Sequence, residues 1–201
     1  MIIGVDGNEA NVREKVGVSV YTLKHLFYFQ KHATSNLRFI VYLKKPPFND
    51  LPDETAYFKY KVINGSFLWS QIFLPLELFK NLFTKDRIKV FFSPAHYSPR
   101  FCFCPTVVTI HDVAYLHYPD EFLKKDLYQL KNWTDYSLHN ATKIITVSKT
   151  TKKDVMRFYH TPENKIEVIY NGFEKEINDQ MVTGTCGEMT PPINSPYVLY
   201  V

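Results

Sequence analysis

A histidine and an aspartate stand side by side at positions 111 and 112, directly after Val107-Val108-Thr109-Ile110. An imidazole can donate or accept a proton near neutral pH, and a carboxylate can orient it or balance a developing positive charge. Such groups do chemistry only where an element holds them at an opening in the molecule. The four residues before them meet that need: three are apolar, all favour extended backbone, and none breaks the run with a charge. The run predicts a parallel strand buried on both faces, and open α/β sheets bind ligands just outside the carboxyl ends of such strands. A local alternative stands beside this one, with Asp112 capping a turn and His111 making one nearby hydrogen bond.

Other candidate residues fall at comparable places. Ile2 to Asp6 reads as a first buried strand, followed by a polar loop from Gly7 to Lys15. Gly17 then opens a helix from Val18 to His32, whose amino end would offer free backbone N–H groups to an anion. Gly17 and Val18 are therefore candidate donor-binding residues, although a simple hinge into a helix explains them as well. The stretch is not Gly-x-Gly-x-x-Gly, so the dinucleotide fingerprint is absent. Ser93 to Pro99 forms a rigid loop after a strand at Ile88 to Phe92, and it carries the candidate binding residues His96 and Tyr97.

The remaining elements must position these groups. Strands are expected at Leu37–Leu43, Tyr60–Ile63, Lys143–Val147 and Ile166–Tyr170. Helices are expected at 67–83, broken or bent near Pro75, and at 120–141, the latter after an aromatic loop at 113–119. The 67–83 segment is strongly apolar and reads as core rather than as a membrane-surface helix, because a basic polar face is missing. The 18–32 helix, apolar on more than one face, is expected to be largely buried. Ser148, Thr150 and Thr151 start a last helix ending near Tyr159, with Thr151 and Asp154 in capping-box spacing. Short apolar runs alternating with helices predict an α/β fold: a mostly parallel sheet of about seven strands with helices on both faces.

Composition narrows the function. The 201 residues suffice for one α/β domain, and 24 Lys and Arg against 20 Asp and Glu give a net charge of +4 with no cluster. That argues against a nucleic-acid partner. Cys102, Cys104 and Cys186 fit neither a disulfide framework nor a zinc pattern and read as reduced thiols of a cytoplasmic protein. No apolar run is long enough to span a membrane, and the first ten residues are no signal peptide. Residues 174–195 are polar and rich in Gly and Pro, the composition of a linker. The strand at 196–201 cannot fold alone and is expected to open a further domain.

Taken in order, the motifs resemble the amino-terminal half of the family-4-type retaining glycosyltransferases. The resemblance rests on Val107 to Asp112, Tyr118-Pro119, Ile144 to Ser148, Ile166 to Gly172, Gly17-Val18 with Tyr21, Trp69-x-Gln71 with Leu74-Pro75, and Ser93-Pro94. It implies a GT-B fold, of which this chain would supply one Rossmann-like half: an acceptor-side domain at 1–173, a linker at 174–195, and the first strand of the nucleotide-sugar domain at 196–201. It implies His111 as the cleft histidine beside the transferred sugar, Asp112 as its companion, and Gly17 as the glycine approaching the donor diphosphate. The implied reaction moves a hexosyl group from a nucleotide-sugar to a glycan or lipid-linked acceptor in envelope or exopolysaccharide synthesis, with retention. Neither cofactor nor metal is expected; Asp-x-Asp, the metal–diphosphate signature of the other glycosyltransferase fold, is absent from the chain. The donor-domain marks (a Gly-rich loop, an Arg and a Lys at the diphosphate, Glu-x7-Glu) do not occur in these 201 residues, so the chain alone is expected to be inactive. Peripheral, salt-sensitive contact with the inner membrane face is a further expectation. The competing class is a non-catalytic Rossmann-like module that binds a sugar or partner; a nucleotide-cofactor oxidoreductase is disfavoured by the missing glycine fingerprint.

Overall fold

The computed structural model describes residues 1–65, 68–95 and 97–172. The expected linker and the strand at 196–201 lie outside the described residues. Seven strands form one sheet: β1 (Ile2–Asp6), β2 (Arg38–Leu43), β3 (Phe58–Val62), β4 (Val90–Ser93), β5 (Thr106–Ile110), β6 (Lys143–Thr146) and β7 (Ile166–Val168). Their order is β3-β2-β1-β4-β5-β6-β7, and every neighbouring pair is parallel. Residues 1–171 make up one unit around this sheet. The chain runs outward from β1 to β3, returns to β4 beside β1, and then runs outward the other way. The order reverses between β1 and β4, where a doubly wound sheet opens a crevice at its carboxyl edge. The arrangement is Rossmann-like, as the alternation of apolar runs and helices predicted.

Period-two alternation assigns the helices to faces. Phe39, Val41 and Leu43 of β2 pack with Leu26 of α1 (Gly17–His32). Tyr42 packs instead with Leu74 and Leu78 of α2 (Leu74–Asn81) and with Phe91 of β4. On that same side Val108 and Ile110 of β5 and Ile144 of β6 meet Leu138 of α4 (Lys124–Asn140) and Val155 of α5 (Lys149–Tyr159). β5 lies inside the sheet between β4 and β6, with Thr106, Val108, Thr109 and Ile110 all buried. This is the two-sided burial that its composition predicted.

Several local expectations need correction. α1 buries only one face, through Ser19, Thr22 and Leu26 at i, i+3 and i+7, and leaves Val20, Phe27 and Tyr28 exposed. Its second apolar face therefore has no sheet beneath it. The expected break near Pro75 is present, by contrast: a π-helical turn at Trp69–Phe73 runs into α2. Pro75 lacks the N–H that an unbroken α-helical ladder would need there, but is tolerated in the first turn of α2. Residues 113–119 are not all loop, since Ala114–His117 form a short helix, α3, and α4 begins only at Lys124. The α5 cap is Ser148, whose Oγ accepts from the Thr151 N–H at 2.9 Å. Thr151 and Asp154 form no capping box: Thr151 Oγ1 donates to the His111 carbonyl, and Asp154 meets His117 at 3.0 Å. Such a serine cap is worth about 1 kcal/mol. Cys102 and Cys104 are free thiols with their sulfurs 3.5 Å apart; Cys186 lies outside the described residues.

Candidate active site

His111 is the first residue beyond β5 and is half-buried. Its Nε2–H donates to the Pro94 carbonyl at 2.8 Å, which ties it to the loop after β4. Its ring meets the Tyr21 ring edge-on at 4.7 Å, and the Tyr21 hydroxyl lies 3.4 Å from Thr109 Oγ1. Its carbonyl accepts from Thr151 Oγ1 at the start of α5, at 3.0 Å. Loop, helix and strand thus hold it from separate directions, more than the single local bond of the simpler alternative. Burial lowers its pKa below the usual histidine range, against the opposing effects of the Pro94 hydrogen bond and the Asp112 charge. The ring is neutral at physiological pH.

Asp112 is exposed, and its Oδ1 accepts from the Ala114 N–H at 3.0 Å, at the start of α3. Here the structure displays the turn-capping geometry that the sequence left open. Gly17 and Val18 form the first turn of α1, which has no side-chain cap. A Cβ built on Gly17 would meet nothing within 4 Å, so its surroundings are open to a ligand. One helical turn on, about 6 Å along the axis, Tyr21 touches His111. The amino end of α1 and His111 therefore share one rim of the sheet. Tyr97 lies in the loop after β4, with its ring 5.4 Å from Trp133. Burial pushes its hydroxyl up to about 12. His96 lies outside the described residues.

Beside these groups, at the switch between β1 and β4, lies a cavity of about 210 Å³. Asp6 ends β1, and Asn8 and Glu9 follow it in a 3-10 turn; Lys44 follows β2. Trp69 and Ser70 come from the π-helical turn, and Pro94, Ala95 and Tyr97 from the loop after β4. Register explains the meeting: Val5 pairs with Phe92, so Asp6 and the residues after Ser93 emerge together. Pro94 is shared, lining the cavity while its carbonyl binds His111. Asp6 Oδ1 accepts from Asn8 N at 3.1 Å and from Asn8 Nδ2 at 2.8 Å. Desolvation nevertheless raises its pKa to about 6, and burial also raises that of Glu9. Asp6, Glu9 and Lys44 are not among the candidates that the sequence offers for this rim. Asp6 is open to the argument used for His111, since it too ends a buried strand; Glu9 and Lys44 carry no comparable signal. Among the described residues no group of three His, Cys, Asp or Glu is placed to hold a metal ion.

The doubly wound parallel sheet, with an imidazole, an uncapped helix start and a polar cavity at its switch point, defines a Rossmann-like domain. The chain belongs to Glycosyltransferase Family 4, whose sequence profile matches residues 17–176. It is similar to the O-antigen chain mannosyltransferase RfbU of Salmonella typhimurium, with 32% identity over 68 residues, covering 34% of this chain and 19% of that protein. An uncharacterized glycosyltransferase of Methanocaldococcus jannaschii is 44% identical over 45 residues, 21% of this chain and 12% of its own. The crystal structure of Anabaena HepE, in complex with UDP and glucose, aligns at a TM-score of 0.49 and 16% identity, covering 86% of this chain and 44% of that one. The chain thus matches less than a fifth of the length of the curated relatives and under half of the solved one.

Proposed function

We propose that this chain is the acceptor-side half of a retaining GT-B glycosyltransferase. It would act with a nucleotide-sugar domain to move a hexosyl group to a glycan or lipid-linked acceptor in envelope polysaccharide synthesis. Membership of the family supports glycosyl transfer, and the likeness to an O-antigen mannosyltransferase motivates the hexose and the envelope acceptor. The observation that carries the reading is the convergence of His111, the amino end of α1 and the cavity on one rim.

The chemistry follows from that rim. Retaining transfer develops positive charge at the anomeric carbon and negative charge on the departing diphosphate. The first-turn N–H groups of α1 are suited to the diphosphate, and Gly17 lets a ligand approach them without obstruction. His111 is neutral, so it offers a dipole to the sugar without repelling the developing cation. Its hydrogen bond to Pro94 fixes the ring before substrate arrives, which favours the transition state over a merely bound state. Asp112 adds negative potential nearby. The reading makes the enzyme a peripheral protein of the cytoplasmic side; among the described residues no helix is long and apolar enough to cross a membrane.

The test is to express the chain joined to a nucleotide-sugar domain of the same family and offer nucleotide-sugars with oligosaccharide and lipid-linked acceptors. Transfer is expected from the joined protein and not from residues 1–201 alone, because each missing diphosphate donor costs on the order of 3 kcal/mol, about a hundredfold in rate. His111→Ala is expected to lower kcat by about the same factor with a smaller effect on KM. Turnover by residues 1–201 alone would refute the half-enzyme reading, and an unchanged kcat with only a raised KM would contradict the role given to His111.

A further inference from the structure

The cavity between the ends of β1 and β4 has a composition that discriminates by charge. Two carboxylates, Asp6 and Glu9, face it against a single ammonium, Lys44. Asp6 Oδ1 is occupied by Asn8, while Oδ2 has no hydrogen bond among the described residues. Glu9 likewise has no hydrogen bond or ion pair among them. When ionised, these oxygens can only accept, and a hydroxyl is a donor that satisfies them without bringing further charge into the site. The remaining walls are Trp69 and Tyr97, whose side chains have apolar bodies, with Asn8, Ser70, Pro94 and Ala95. Trp69 is anchored by its indole N–H to the Ile63 carbonyl at 2.7 Å, so its place in the wall is fixed. The cavity volume is about 210 Å³. That suits one sugar ring with its hydroxyls. Pro94 seats such a ring next to His111.

We infer that Asp6 and Glu9 are the residues that set acceptor specificity by charge, admitting an uncharged, hydroxyl-rich terminal sugar and rejecting a uronate or phosphate-bearing one. This rests on the glycosyltransferase reading above and adds the acceptor class to it. A carboxylate or phosphate on the ligand would face two like charges in a partly open pocket, with one lysine to offset them. A neutral sugar gives both carboxylates hydroxyl donors and lays its C–H face on the aromatic wall.

The experiment uses a matched pair of ligands, a methyl hexoside and the corresponding methyl hexuronoside, which differ in charge at one carbon. NMR titration of the 201-residue chain reads binding without catalysis. The hexoside is expected to shift Asp6, Glu9, Lys44 and the Trp69 indole, and the hexuronoside to bind at least about fivefold more weakly. Glu9→Gln, at an exposed position that carries no fold, should narrow that ratio, and Asp6→Asn should narrow it further. In the joined enzyme the same variants should change the ratio of acceptor KM values and leave the donor KM unaltered. Equal binding of both ligands, shifts confined to another surface, or a ratio untouched by Glu9→Gln would overturn the inference. Selective binding without sugar transfer by the joined enzyme would support the filter and count against the transferase reading, so the two are tested separately.

Discussion

Asp6 is the residue whose chemistry is easiest to read in solution. Its pKa rises from 3.8 to about 6 on folding, chiefly through desolvation. A raised folded pKa means that the folded chain holds this proton more tightly than the unfolded chain. The associated stability is fully present below about pH 4 and is lost as pH rises through about 6. A rise of that size corresponds to about 3 kcal/mol, and because the pocket is partly open the effect is expected on the order of 2 kcal/mol. Denaturant midpoints between about pH 4.5 and 7.5 should therefore fall more steeply for the native chain than for Asp6→Asn; parallel profiles would show that Asp6 is not the titrating group. His111 has the opposite sign. Its lowered pKa is linked to stability that is present above the ordinary histidine range and lost as pH falls through the folded value. A strand-end rule picks out His111 in the sequence because an imidazole after an apolar run stands out. The same rule applies to Asp6, but an aspartate before Gly7 also reads as an ordinary turn, so the residue has no distinct chemical signal.

At the scale of elements, α2 has two apolar faces with different fates. Leu74 and Leu78 are buried under the sheet, whereas Ile72 before the helix, Leu76 and Phe79 on it and Phe83 after it are exposed, Phe83 at 78%. The rings of Phe83 and Phe103 flank that of Phe79 at 5.5 and 5.2 Å. Lys80 on α2 and Lys85, Arg87 and Lys89 after it are exposed, with Asp86 among them paired to Arg38. We expect the basic rim and aromatic ridge to give reversible attraction to anionic lipid without insertion. In vesicle flotation, binding to phosphatidylserine-containing liposomes should fall with salt and with Phe79→Ser/Phe83→Ser. Binding to neutral vesicles alone, or none at low salt, would contradict this. The sequence pattern suggests a core helix here because apolar content dominates and the basic residues fall after the helix, at 85–89, not along its polar face. The strands are far more legible, since a parallel strand buried on both faces is a short continuous apolar run. α3 is not legible: four residues are too few for periodicity, and its start depends on Asp112 turning back to Ala114.

The whole molecule carries its family in an ordered series of strand ends, with the motifs at 107–112, 144–148 and 166–172 falling on or just beyond β5, β6 and β7. That order runs along the chain and can be read from it. The cavity cannot, because it gathers residues from position 6 to position 97 and exists only once β4 returns to β1. This return has a kinetic consequence. With every neighbouring pair parallel there is no hairpin to nucleate the sheet, and the pairing of Ile3 with Val90 closes a loop far longer than that joining Ile3 to Phe39. Loop closure makes such non-local pairing slow, so refolding is expected on the order of seconds rather than milliseconds. In pulsed hydrogen exchange, the amides of Val41 and Tyr42 should become protected before those that join β1 to β4, and simultaneous protection would contradict the order. The seam beneath the cavity would then form after the pairing of β1 with β2, and a ligand held in the cavity would slow unfolding by holding the two halves together.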